Sequence, residues 1–178
     1  MTRRHWLLGA AAVVAAAAGA GVAWKRAQPD AAAAAGNPLD ADFWALKFEQ
    51  PAGGELAVAG LRGTPLLINF WATWCPPCVK EMPMLNAFYR EHHPHGWQVL
   101  GLAIDSPTPV REFLTLRPVA FPIGLAGLIG TELSRTLGNP DGSLPYTVVV
   151  GRDGRVSDRK QGALEAADLS RWAQQARR

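Results

Sequence analysis

Thiols are scarce in this chain. Of its 178 residues only two are cysteine, and both lie in Trp74-Cys75-Pro76-Pro77-Cys78. With no second such pair, a structural zinc site of four Cys or His ligands is out of reach; beyond His5 the histidines are His92, His93 and His95 alone. Haem attachment of the c type needs a histidine directly after the second cysteine, and Val79 stands there. A purely structural disulfide across so short a loop would add little on the loop-entropy argument. Charge is sparse too: the net value is +3, spread along the chain rather than gathered in a basic block. Arg171, Arg177 and Arg178 fit a solvated helix face and end, so no nucleic-acid partner is indicated. There is no internal repeat.

What remains is the C-x-x-C pair itself. It follows an apolar run and precedes a helical pattern, the sequence form of a redox-active dithiol. The strand delivers the first cysteine to a surface turn, and the next helix points its free N–H groups and positive dipole end at that sulfur. A thiolate is stabilised there, and thiolates attack disulfides. The chemistry expected is electron transfer by thiol–disulfide exchange.

The N-terminus reads as a targeting segment. Thr2-Arg3-Arg4-His5 is basic, and Trp6 to Trp24 carries no charge before Lys25-Arg26. As a helix that stretch would span about 28 Å, close to a bilayer core. It is mostly Ala and Gly, however, and Ala18-Gly19-Ala20 has the form of a signal-peptidase site. A membrane anchor, a cleaved signal and a twin-arginine export signal all fit. Each places the remainder outside the cytoplasm, on the periplasmic side of the membrane. Residues 1–26 are therefore expected to be signal or anchor, 27–38 an Ala-rich flexible linker and 39–178 a single folded domain.

Within the domain, Phe43 to Phe48 alternates as an edge strand would, Gly53-Gly54 turns the chain, and Glu55 to Val58 pairs back as an N-terminal β-hairpin. Leu66 to Trp71 suits a buried central strand. Helical spacing runs from Val79 to His92 through Met82, Leu85, Phe88 and Tyr89, with Pro83 expected to kink it. Gln98 to Ile104 is a second buried strand, Val110 to Leu116 a helix, Phe121 to Ile123 an extended piece and Leu128 to Leu137 another helix. Tyr146 to Val150 and Val156 to Gln161 flank a turn at residues 152–155, and Glu165 to Gln175 closes the chain as a helix. Strands alternating with helices predict an α/β fold with a mixed central sheet flanked by helices.

The block Asn69-Phe70-Trp71-Ala72-Thr73-Trp74-Cys75-Pro76-Pro77-Cys78-Val79-Lys80-Glu81-Met82-Pro83 resembles the active-site block of the TlpA/ResA/DsbE-like family of exported thiol–disulfide oxidoreductases, in the thioredoxin superfamily. Leu61-Arg62-Gly63, the late Asp153-Gly154 turn and a proline before the late strand fall in the family's order. The resemblance runs from Phe43 onward and implies a thioredoxin-like fold without cofactor or metal. By position it makes Cys75 the nucleophile and Cys78 the resolving cysteine. It makes Leu144-Pro145 the cis-proline loop that pairs with a partner's extended chain; a cis bond is essentially a proline phenomenon. The alternative for Pro145 is an ordinary strand-opening proline. Trp74, with Pro76 and Pro77, belongs to the docking face, whereas Trp71 is more core than surface.

Glu81, three residues past Cys78 on a helix, lies on the same face. It is similar to the acidic residue that manages protons in the ResA-like branch; the alternative is a solvated helix carboxylate. Asn69 departs from thioredoxin itself, which has a buried aspartate there. An amide cannot take the proton of Cys78, so Glu81 or water must. Asp105 ends the second strand at the edge nearest the active turn in such a fold, but is expected to cap the helix near Pro107 rather than to serve that turn, and the three clustered histidines to form an exposed helix end.

The resemblance implies an enzyme that reduces disulfides in partner proteins and is recharged by a membrane thiol donor of the DsbD/CcdA type. Cytochrome c maturation is the family's best-attested destination. A disulfide-forming oxidase would share the motif. A peroxidase of the peroxiredoxin type would need Thr and Pro where Ala72 and Ile68 stand. A Sco-type copper-delivery protein would need C-x-x-x-C and a late histidine, and none follows His95.

Overall fold

The computed structural model describes residues 36–175. The proposed signal or anchor and most of the linker lie outside those residues. Among the described residues, no helix is long and apolar enough to cross a membrane.

The chain opens with a short helix α1 (Ala41–Ala45) and a hairpin of β1 (Lys47–Glu49) and β2 (Glu55–Ala57). It continues through a 3-10 turn at Val58–Leu61 into β3 (Leu66–Trp71), the long helix α2 (Pro76–His92) and β4 (Gln98–Ala103). Then come α3 (Pro107–Leu116), β5 (Ile123–Leu125), α4 (Gly127–Thr136), the hairpin β6 (Tyr146–Val150) and β7 (Val156–Gln161), and α5 (Ala166–Gln175). The seven strands form one sheet in the order β2-β1-β5-β4-β3-β6-β7. Strands β3, β4 and β5 run parallel, and the pairs to β1, β6 and β7 are antiparallel.

Every residue of β3 is buried, as expected of a central strand covered on both faces. Alternation then divides the core in two. Leu67, Trp71, Val99, Ala103 and Val149 meet Cys78, Met82, Leu85 and Phe88 of α2 and Leu169 and Trp172 of α5. On the opposite face Leu66, Ile68, Phe70, Leu100, Leu102 and Val148 meet Phe43 and Trp44 of α1 and Leu137 behind α4.

The expected edge strand over Phe43 to Phe48 is a helix followed by a strand. Asp40 accepts a hydrogen bond from the Phe43 N–H at 2.8 Å and so caps α1. The alternation there is the inward step of Phe43 and Trp44 on a one-turn helix. Helix α2 starts three residues earlier than its apolar spacing suggests, because Pro76 and Pro77 fill its first positions, where a missing N–H costs nothing. It is one continuous helix through Pro83. Residues Gly36 to Leu39 run beside the late hairpin: Pro38 bridges Arg155, and the Leu39 N–H donates to Gly154 O at 2.9 Å.

Candidate active site

The parallel arrangement of β3, β4 and β5 brings their C-terminal ends to one edge of the sheet, and that edge carries the dithiol. Cys75 and Cys78 are joined, with Sγ atoms 2.07 Å and Cα atoms 5.3 Å apart. Cys75 is the N-cap of α2, its Sγ accepting the Cys78 N–H at 3.3 Å. Pro76 and Pro77 have no N–H to offer, so this is the first amide of the helix that can reach the sulfur. Cys75 is 4% exposed and Cys78 not at all, which is the expected order although both are buried. Trp74 stands beside them 65% exposed, and Pro76 is exposed and Pro77 partly so. Trp71 is wholly buried against Phe113.

Register sets the second wall. β3 and β6 are antiparallel with Phe70 opposite Tyr146, so the residues before Tyr146 lie at the end of β3 that leads into the Cys75 turn. The Leu144–Pro145 peptide there is cis. Its loop is held from several sides. The buried Asn139 donates to Ser143 O at 2.9 Å, Gln161 donates to Asp141 and to Ser143 Oγ, and the Gly162 N–H donates to Pro145 O at 2.9 Å. The Ser143 N–H and hydroxyl hold the Asp141 carboxyl below the usual carboxylate range.

Glu81 is not solvated. It is 3% exposed, on the inward stripe of α2 with Cys78, Met82 and Leu85. Its Oε1 accepts from Asn69 Nδ2 at 2.8 Å and its Oε2 from the Leu164 N–H at 2.8 Å. Asn69 Nδ2 also donates to Thr147 Oγ1 at 3.1 Å. Gly162, with φ of 84°, makes the left-handed turn after β7 that brings Leu164 inward. Burial pushes the Glu81 carboxyl above its ordinary value, and the two donors partly oppose that. Thus β3, α2, β6 and the loop before α5 each supply one part of a buried polar site beside the dithiol.

Asp105 does not cap α3, whose N-cap is Ser106 without a side-chain bond. Its Oδ2 accepts from both the Thr73 N–H, at 2.9 Å, and the Thr73 hydroxyl, at 2.6 Å, while Oδ1 accepts the Ser106 N–H. The carboxylate therefore ties the end of β4 to the turn that carries Trp74 and Cys75. Parallel register contained this: Trp71 pairs with Ala103, so residues two further on, Thr73 and Asp105, stand level. His92 is buried against Phe88 rather than exposed, its ring 4.6 Å from the phenyl centroid, whereas His93 and His95 are exposed. Asn69 as a donor to Glu81, Thr147 and the Leu164 amide were not visible as site groups from spacing alone. Among the described residues, no three His, Cys, Asp or Glu side chains form a group that could hold a metal ion.

An α/β sheet of this topology, with an oxidised C-x-x-C pair capping its long helix and a cis-proline at the same edge, defines a thiol–disulfide oxidoreductase of thioredoxin-like fold. The chain belongs to the Redoxin family, whose model matches residues 34–175. It is similar to the thiol-disulfide oxidoreductase ResA of Bacillus cereus, 29% identical over 123 residues that make up 68% of this chain and 69% of that one. Among solved structures it is similar to a thiol:disulfide interchange protein of the thioredoxin family from Chlorobium tepidum (TM-score 0.69, 23% identity, covering 79% of this chain and 97% of that one). It is also similar to a secreted Mycobacterium tuberculosis disulfide oxidoreductase homologous to E. coli DsbE (TM-score 0.63, 20% identity, 76% and 99% covered). At those identities the two structures speak for the fold alone.

Proposed function

We propose that this protein is an exported reductase, passing two electrons from Cys75 and Cys78 to disulfides in specific partner proteins. The observation that carries the direction is the helix start. A pair is strongly oxidising when its reduced form is stabilised; of the N2 and N3 amides that an N-cap side chain can use, Pro77 withholds the first, so the thiolate that the helix start favours on Cys75 has the Cys78 N–H alone. The buried Glu81 adds a nearby negative charge when ionised, which again disfavours the thiolate.

In this reading the Cys75 thiolate attacks one sulfur of the partner disulfide, forming a mixed disulfide and releasing the partner's other sulfur as thiolate. Glu81 takes the proton of Cys78, and the Cys78 thiolate then attacks Cys75 Sγ. The Cys75–Cys78 bond forms, the mixed disulfide breaks, and the second partner sulfur leaves as a thiolate that picks up a proton. Leu144 and Pro145 receive the extended partner chain, and Trp74, Pro76 and Pro77 contact its surface. Electrons return from a membrane thiol donor of the DsbD/CcdA type, and cytochrome c maturation is the destination that resemblance favours. Residues 1–26 hold the domain at the periplasmic face or are cleaved to free it there, residues 27–38 serve as tether and 39–178 as the catalytic domain.

Trapping thiols in growing cells with an alkylating mass tag tests the direction. A reductase is found mainly as the doubly tagged dithiol and becomes a disulfide when the donor is removed. A pool that stays disulfide with the donor present would mark an oxidase.

A further inference from the structure

Asn69 occupies an unusual position in the buried site. Its Nδ2 serves two acceptors, Glu81 Oε1 and Thr147 Oγ1, while its Oδ1 is buried without a partner among the described residues. Neither neighbour forces that orientation in every state. An ionised Glu81 is an acceptor only, but a protonated one carries an O–H donor. The Thr147 hydroxyl is donor and acceptor both. With Asn69 and Thr147 fully buried and Glu81 nearly so, no bulk water covers a mismatch, and an unmatched polar group there is costly.

We propose that Asn69 is a positioning residue that matches Glu81 in both charge states, its amide turning end for end when the carboxyl gains or loses a proton. With Glu81 ionised, Nδ2 donates to Oε1 and Thr147 accepts. With Glu81 protonated, Oδ1 takes the place of Nδ2 and accepts from both the carboxyl O–H and the Thr147 hydroxyl. One end of the amide lacks a partner in either orientation, so the exchange loses no hydrogen bond. The Leu164 N–H holds Oε2 throughout, which keeps the carboxyl in place while the proton moves at the other oxygen. An aspartate at position 69 could not do this, because its carboxylate would face the Glu81 carboxylate with no donor between them. The inference rests on the reading of Glu81 as the group that takes the Cys78 proton, and it explains why that role is compatible with an amide rather than an acid on β3.

The groups facing Glu81 from each neighbouring element are few. Its own helix supplies Cys78, joined to Cys75 at the N-cap, β3 the neutral Asn69 and β6 the neutral Thr147. On the same face β7 carries Asp158 and Lys160, and α5 carries Asp168. Those three are engaged elsewhere: Lys160 pairs with Asp168 at 3.1 Å, and Asp158 accepts the Trp172 indole N–H at 2.7 Å.

The test is the pH profile of partner-disulfide reduction in Asn69→Leu, Asn69→Asp and Glu81→Gln, each checked for folding. Both Asn69 variants are expected to move the limb that depends on Glu81 to higher pH by roughly one unit, so that at a given pH on that limb the rate falls by roughly tenfold. Neither should move the profile further when combined with Glu81→Gln. If Glu81→Gln shifts the profile and the Asn69 variants do not, the amide role is overturned and the Glu81 role stands. If Glu81→Gln leaves the profile unchanged, both are overturned. Nuclear magnetic resonance on the unaltered protein provides a second measurement that needs no variant. The Asn69 side-chain amide signals should titrate with the same midpoint as the Glu81 carboxyl carbon, and amide signals indifferent to that titration would contradict the proposal.

Discussion

The two faces of the sheet are built from the same strands to different ends. Toward α1 and α4, Ile68, Phe70, Leu100, Leu102 and Val148 pack with Phe43, Trp44 and Leu137, and the buried Tyr146 hydroxyl among them donates to Leu137 O. Toward α2 and α5, the same strands place Asn69 and Thr147 among Leu67, Trp71 and Val149, and α2 answers with Glu81. A one-residue step along β3 thus separates a face that only stabilises from one that also holds a chargeable group beside a dithiol. A buried carboxyl, amide and hydroxyl are tolerated because each has at least one partner, and because the opposite face buries mostly apolar side chains and carries no ionisable carboxyl in its core.

Substitutions should break this division in a definite order of size. Cys75→Ser removes the nucleophile and should reduce turnover to background, while Cys78→Ser should leave partners trapped as mixed disulfides on Cys75. Both are read by a disulfide-reduction assay and non-reducing electrophoresis. On the hydrocarbon face, Phe70→Ala should cost about 3–5 kcal/mol by urea titration. The folded fraction should keep the dithiol's reduction potential, and a moved potential would mean the faces are not separable.

Glu81→Gln should act the other way, with a modest effect on stability at any single pH but a changed pH dependence. A carboxyl raised on folding binds its proton more tightly in the native than in the unfolded chain. Stability should therefore fall as pH rises from the ordinary carboxylate value, 4.5, through the raised native one. The Glu81→Gln variant should lack that decline, as measured by thermal melts across the same window. Trp74→Ala should have the smallest effect of the set: no measurable loss of stability from a side chain already 65% exposed, and about 1 kcal/mol of weaker partner binding, seen as a severalfold higher KM.

The hydrocarbon face and the dithiol were legible in the sequence for simple reasons. Leu66 to Trp71 and Tyr146 to Val150 are apolar runs, and β7 has the bounds its pattern predicts. Both cysteines adjoin a helix start that spacing locates to within three residues. The polar site was only half legible. Glu81 could be placed on the same helix face as Cys78, and Met82 and Leu85 on that stripe already pointed inward. What could not be read was the partner of its carboxyl, since the Leu164 amide is 83 residues away and reaches it through a loop. Asp105 was misread for the opposite reason. Its local pattern, Asp-Ser-Pro before a helix, is a capping signal, and the competing Thr73 bonds exist only once β3 and β4 lie in register. The helix at Phe43 is a like case: two aromatics on a single turn mimic the start of a strand.

The difference between the faces leads to one quantity, the reduction potential of the Cys75–Cys78 pair. Few amides at the sulfur and an acidic neighbour both predict a reductant. Equilibration with dithiothreitol buffers at pH 7 should place the midpoint near that of thioredoxin, about −270 mV, or lower. A midpoint near −120 mV, the value of a strong oxidase, would contradict it.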